Sequence, residues 1–65
     1  MKIIVNGDAR DVSEPVLDAV LHELGFSHSV VATALNGEFV SASARPSTPL
    51  EEGDRLEVLA PMQGG

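Results

Sequence analysis

At 65 residues the chain makes one small domain, and a chain of this size buries only about 60% of its unfolded surface, leaving little room for an enclosed active site. It holds no cysteine, which rules out disulfides, thiolate metal sites and iron–sulfur clusters, so any sulfur chemistry must use something other than a side-chain thiol. Ten acidic against four basic residues give a formal charge of −6, which repels nucleic-acid phosphates and anionic lipid and points to a basic protein partner; with Phe26 and Phe39 as the only aromatics, the stacking platforms of single-strand binders are missing too.

The opening "MKIIVNGDAR" has no long apolar run and no small-residue cleavage site, so neither a secretory signal nor a membrane span is predicted, and a cytoplasmic protein is expected. Residues Lys2 to Asn6 alternate, with Ile3 and Val5 on one face and Lys2, Ile4 and Asn6 on the other. Asn6-Gly7 follows at once and predicts a hairpin, because both central positions of the favoured two-residue turn need positive φ. The second strand is expected from Ala9 to Val12, although "DARDV" has weak strand propensity. Ser13 reads as a helix N-cap, with Glu14 favourable against the helix dipole and Pro15 tolerated in the first turn. Leu17, Val20, Leu21 and Leu24 then share one helical stripe, Asp18, His22 and Glu23 face away, and Gly25 is the expected stop.

After a polar link at Ser27 to Ser29, "VVATAL" predicts a third strand, and Asn36-Gly37 a second hairpin into "EFV". "SASARPSTPL" reads as irregular, since Pro46 and Pro49 cannot donate ladder hydrogen bonds. "EEGD" marks a turn before the last strand, Arg55 to Ala60, in which Leu56, Val58 and Ala60 alternate against Arg55, Glu57 and Leu59. The order is strand, strand, helix, strand, short strand, strand. A crossover through the helix that brings a later strand parallel to the first predicts an α+β domain, a ubiquitin-like β-grasp with a mixed sheet of four to five strands over residues 1–60. Ile3, Val5, Leu17, Val20, Leu21, Leu24, Leu50, Leu56 and Val58 are the expected core.

Residues 61–65, "PMQGG", then read as a flexible arm. Leaving a firmly held last strand, five residues reach at most about 17 Å, enough to enter another protein's active site. Pro61 ends ladder pairing, and Gly64 and Gly65 carry no Cβ, so the arm fits a narrow channel and its terminal carboxylate is unhindered. A carboxylate resists nucleophilic attack at neutral pH. Joining it to AMP from ATP makes it reactive, and a sulfur nucleophile can then leave a terminal thiocarboxylate. Such a protein is no enzyme and binds no cofactor; it supplies an address and a reactive end, while partners use the ATP.

On "MKIIVNG", the helix end "ELGF", "VATALNGEFV" and above all "LEEGDRLEVLAPMQGG", the whole chain resembles the ThiS-type sulfur carriers of thiamine biosynthesis. The resemblance implies a ubiquitin-like fold, adenylation on the last glycine by an activating adenylyltransferase, sulfur drawn from cysteine through a desulfurase, and delivery to thiazole synthase. Carried over by position, Gly64 and Gly65 match the tail motif, and the Gly65 carboxylate is the implied point of AMP and then sulfur attachment. The same Gly-Gly chemistry is similar to that of the small subunit of molybdopterin synthase. From a different class, the domain resembles plain β-grasp binding modules of synthetases and GTPases. Ubiquitin-like tagging is disfavoured, because Lys2 is the only lysine available for self-linkage.

Leu59, Glu57 and Met62 are the expected partner contacts. Leu59 points away from Leu56 and Val58, so it is either a docking contact or packed beneath a cover on the sheet's outer face. Glu51, Glu52, Asp54 and Glu57 could steer a basic partner, or be a turn plus a solvated strand edge; they lack the loop spacing calcium requires. His22 and His28 read as solvated, with no ligand at metal spacing on a shared face.

Overall fold

A computed structural model describes residues 1–26 and 30–60. Strand β1 (Lys2–Val5) and β2 (Asp8–Asp11) form the first hairpin, paired from Lys2 opposite Asp11 to Val5 opposite Asp8. Asn6 at φ 50 and Gly7 at φ 88 make the mirror-image turn that suits twisted strands. A two-residue turn obliges pairing to resume directly after Gly7, so β2 begins one residue earlier than expected. It also ends at Asp11, which frees Val12 to turn inward, with its N–H on the Met1 carbonyl at 2.8 Å.

The helix α1 (Leu17–Glu23) starts later than the sequence signals, and Ser13 is not its cap. Pro15 holds the residue before it out of helical space, and the chain stays extended to Val16, which bridges antiparallel to Pro49. The Leu17 N–H is satisfied by the Thr48 carbonyl at 2.8 Å, and the Leu50 N–H by the Pro15 carbonyl at 2.9 Å. Backbone from a segment distant in sequence therefore replaces the side-chain cap. At the other end Gly25, at φ 94, donates to the His22 carbonyl, and Phe26 to the Leu21 carbonyl, the paired bonds of a left-handed helix stop.

Ser13 instead bonds a side-chain carboxylate. Glu23, although it faces solvent, accepts from the Ser13 N–H at 3.0 Å, the Ser13 hydroxyl at 2.9 Å and the Glu14 N–H at 3.2 Å. These bonds, led by the Ser13 N–H, hold the Glu23 carboxyl below its ordinary value of 4.5. A depressed folded-state pKa contributes stability that is full above the unfolded value and is lost as pH falls through the folded one. Glu23→Gln is therefore expected to lower the melting temperature near neutrality and to flatten its decline between about pH 5 and pH 3. Equal acid limbs in thermal melts of the two proteins would show that the latch does not contribute.

Strands β3 (Ala32–Leu35) and β4 (Glu38–Val40) form the second hairpin about Asn36 and Gly37, at φ 52 and 86. The stretch expected to be irregular contains a 3₁₀ helix, Ala42–Ser47, with Pro46 inside it. It has no apolar period, and one side chain ties it to the sheet. Arg45 Nε donates to Thr33 Oγ1 at 3.1 Å and its Nη2 to the Val31 carbonyl at 2.7 Å, while the buried Thr33 hydroxyl donates to the Val40 carbonyl.

Strand β5 (Arg55–Leu59) enters the middle of a five-stranded sheet ordered β2-β1-β5-β3-β4, parallel to β1 and antiparallel to β3. With one helix across one face, this is the α+β, ubiquitin-like β-grasp. The core is Ile3, Val5, Val12, Leu17, Val20, Leu21, Leu50, Leu56 and Val58. Val12 is an addition to the expected set; Leu24, at the helix's last turn, is only half-buried and packs on the margin. No helix among the described residues is long and apolar enough to cross a membrane.

Candidate functional site

Because β5 is central, its outer face has neighbours on both sides, and they determine what surrounds Leu59. The burial of β5 alternates strictly: Leu56 and Val58 lie under the helix, while Arg55, Glu57 and Leu59 stand on the opposite, open face. Leu59 is 66% exposed, so the alternative of a packed Leu59 under a cover is excluded within this domain. It lies opposite Ala32 on β3, Glu57 lies opposite Ala34, and Ala34 in turn lies opposite Phe39 on β4, which is 74% exposed. On the other flank, Arg55 is level with the half-buried Ile4. The open face thus carries a low apolar band, Leu59, Ala32, Ala34 and Phe39, with Glu57 and Arg55 set into it.

Exposed apolar surface set with charged residues is a common feature of protein contact surfaces. Phe39 belongs to it and was not singled out from the sequence. Its signal was available, because a two-residue Asn36-Gly37 turn pairs residue 35 with 38 and 34 with 39, which puts Phe39 beside Ala34 and across from the β5 face.

The acidic group is divided between the turn before β5 and the open face of β5. Asp54 organises its own turn, accepting from the Glu51 N–H at 2.7 Å and from Asn36 Nδ2 at 3.1 Å, and Glu52 accepts from the Lys2 N–H at 3.0 Å. Glu57 alone stands on the open face beside Leu59, on a central strand and not the strand edge that the sequence suggested. Among the described residues no trio of His, Asp or Glu is placed to hold a metal ion. His22 is exposed on the polar side of α1, whereas His28 lies outside the described residues. Met62, Gly64 and Gly65 also lie outside them. The two expected partner contacts that fall within the described residues, Glu57 and Leu59, are brought together on one face of β5.

Comparison with known proteins finds relatives over essentially the full chain. The model of the ThiS family matches residues 3–65. The chain is 41% identical over 61 residues to the sulfur carrier protein ThiS of Thermus thermophilus, covering 94% of this chain and 95% of that protein. It is 36% identical over 66 residues to a thiazole synthase of Paramagnetospirillum magneticum, all of this chain matching 20% of that longer protein. Among solved structures, the crystal structure of the thiamine biosynthesis protein ThiS from Geobacter metallireducens superposes with a TM-score of 0.84 at 30% identity, with both chains covered completely. With the family model matching residues 3–65, a relative 41% identical over nearly the whole of both chains and a full-length structural match at a TM-score of 0.84, the chain belongs to the ThiS family.

Proposed function

We propose that this protein is a sulfur carrier of thiamine biosynthesis, in which the Gly65 carboxylate is the reactive group and the open sheet face is the address read by partners. The observation that carries the reading is the family match running from β1 through residue 65, together with a central β5 whose outer residues lead straight to the tail. In the proposed sequence a Gly65 carboxylate oxygen attacks the α-phosphorus of ATP and pyrophosphate leaves. A persulfide, formed from cysteine on a desulfurase, then attacks the acyl carbon and AMP leaves. A second thiol, such as excess cysteine, reduces the resulting acyl disulfide, releasing the thiocarboxylate and ending as a disulfide itself. The thiocarboxylate so formed carries sulfur to the thiazole-forming enzyme. The activating adenylyltransferase supplies the catalytic groups; this chain supplies none.

Support for thiazole synthase as acceptor comes from the relative of that name, in which a segment similar to the whole of this chain lies within one polypeptide. The test is the intact mass of the protein after incubation with ATP, an activating adenylyltransferase, a cysteine desulfurase and cysteine. A gain equal to replacing one oxygen by sulfur supports the carrier. No gain, with partners proven active on another carrier, would leave the plain binding module as the better reading.

The address can be tested separately. Leu59→Asp places a charge in the apolar band at an exposed position, so binding to the activating enzyme is expected to weaken at least about tenfold. The melting temperature should stay close to wild type, since surface substitutions rarely alter stability by more than about 0.5 kcal/mol. Loss of the cooperative melt would assign Leu59 to the fold instead.

A further inference from the structure

The main-chain ladder along the β1 flank of β5 stops short, and a side chain continues it. In a parallel pair each residue of one strand bonds the two residues that flank its partner. The Ile4 N–H accordingly donates to the Asp54 carbonyl, and the Asn6 N–H to the Leu56 carbonyl, both at 2.9 Å. One step on, a regular ladder would give the Val58 N–H the backbone carbonyl of residue 6, and the Val58 carbonyl an N–H from residue 8. Neither is offered, because the chain reverses at Asn6-Gly7 and residue 8 opens β2 on the far side of β1. The Asn6 carboxamide fills both places. Its Oδ1 accepts from the Val58 N–H at 2.9 Å and its Nδ2 donates to the Val58 carbonyl at 3.0 Å.

We propose that Asn6 is a positioning residue for the carrier: its carboxamide stands in for the strand residue that β1 lacks and fixes the line along which the chain leaves β5. The other flank of this stretch is held by β3, through Ala32 opposite Leu59. Asn6 therefore supplies the second rail, setting the direction of Leu59 on the open face and of the chain at Ala60. The functional consequence rests on the carrier reading, since it is there that a partner must find both Leu59 and the tail at a fixed spacing. Asn36 plays a different part at the opposite end. Its Oδ1 accepts from the Arg55 N–H at 3.0 Å, so it pins the entry of β5 and not the exit.

Turn chemistry alone does not explain the choice of asparagine at residue 6. Aspartate followed by glycine forms the same turn readily, but a carboxylate only accepts hydrogen bonds. Beside the Val58 carbonyl it would repel where Nδ2 donates. Once protonated, a carboxyl group has an O–H that can donate again, so Asn6→Asp should be defective near neutrality and recover in acid. Arg55 and Glu57 line the same groove, and the uncharged Asn6→Ala, measured at each pH, separates their titration from that of the new carboxyl group.

The experiment is amide hydrogen exchange by NMR on the full chain, reading Val58 against Val20 in the helix, each as a ratio to wild type at the same pH. In Asn6→Asp at pH 7, Val58 is expected to exchange at least about tenfold faster while Val20 changes far less. Below about pH 4 the Val58 ratio should return toward one, whereas in Asn6→Ala it should stay high throughout. Asn36→Ala should leave the Val58 ratio unchanged. Equal acceleration at Val58 and Val20, or wild-type exchange in Asn6→Asp at pH 7, would overturn the proposal. In the sulfur-loading assay the same variant should raise KM several-fold with kcat retained; an unchanged KM beside accelerated Val58 exchange would also overturn the positioning role. Failure of the wild-type chain to load would sink the carrier reading instead and leave the Val58 result standing.

Discussion

Leu56→Ala is expected to remove most or all of the stability of this domain. Leu56 is 1% exposed, sits on the central strand and packs in the core with Ile3, Leu17 and Val20. Truncating a buried leucine to alanine costs about 2–5 kcal/mol, depending on how far the site collapses around the cavity. A domain of this length has a total stability of only about 3–10 kcal/mol. Collapse is restricted here, because β5 is held by β1 on one flank and β3 on the other and cannot shift toward the helix without breaking both ladders. The melting temperature should fall by at least about 8 °C, at about 4–8 °C per kcal/mol for a small domain. Leu56→Met, which keeps the volume, should cost less than about 1.5 kcal/mol. Calorimetric melts of the two variants decide the matter. A Leu56→Ala protein melting within a degree or two of wild type would mean that the helix and sheet repack over the gap.

What could be read ahead of the structure was what local chemistry dictates. The two Asn-Gly turns and the Gly25 stop are conformational requirements of positive φ, so they needed no knowledge of the remaining fold. The alternation of β1 and β5 identified seven of the nine buried hydrophobic positions among the described residues when combined with the stripe Leu17, Val20 and Leu21. The start of the helix was misread because Ser13-Glu14-Pro15 is a sound local cap signal. The competing partners, the carbonyl of Thr48 and the N–H of Leu50, lie more than thirty residues further along the chain. The 3₁₀ segment was likewise invisible. Its fastening, Arg45 to Thr33 and Val31, is a long-range side-chain contact without periodicity. Val12 was missed because "DARDV" shows no apolar alternation to which it could belong.

The site divides along the same line. That Leu59 points opposite Leu56 and Val58 follows from the period of a strand. That it stays exposed does not, since the second face of a sheet is covered in some folds and open in others. Only the strand order, with a single helix on the far side, decides it. Phe39 joins the face through register, a relation between strands and not within one. The Asn6 clamp is subtler still. The sequence reveals a turn former there, and only the offset between the end of β1 and the end of β5 reveals an amide acting as a strand residue.

Removing Gly64 and Gly65 is expected to abolish sulfur loading completely while leaving the fold unchanged. Among the described residues the buried core ends at Val58, and glycine brings no side chain to a core, so the melting curve should coincide with wild type. The chemistry has no such tolerance, because without Gly65 the proposed attacking carboxylate is displaced by two residues, about 7 Å along an extended chain, and flanked by the Gln63 side chain. The open face, with Leu59, Glu57 and Phe39, remains in the truncated protein. It should therefore still occupy the activating enzyme and act as a competitive inhibitor of loading of the full chain. Intact-mass measurement with and without the truncated protein distinguishes three outcomes. No mass gain together with inhibition separates the address from the reactive end, as the carrier reading requires. No mass gain without inhibition would move the binding determinant from the sheet face to the tail. A normal mass gain in the truncated protein would place the modification elsewhere in the chain and remove Gly65 from the mechanism.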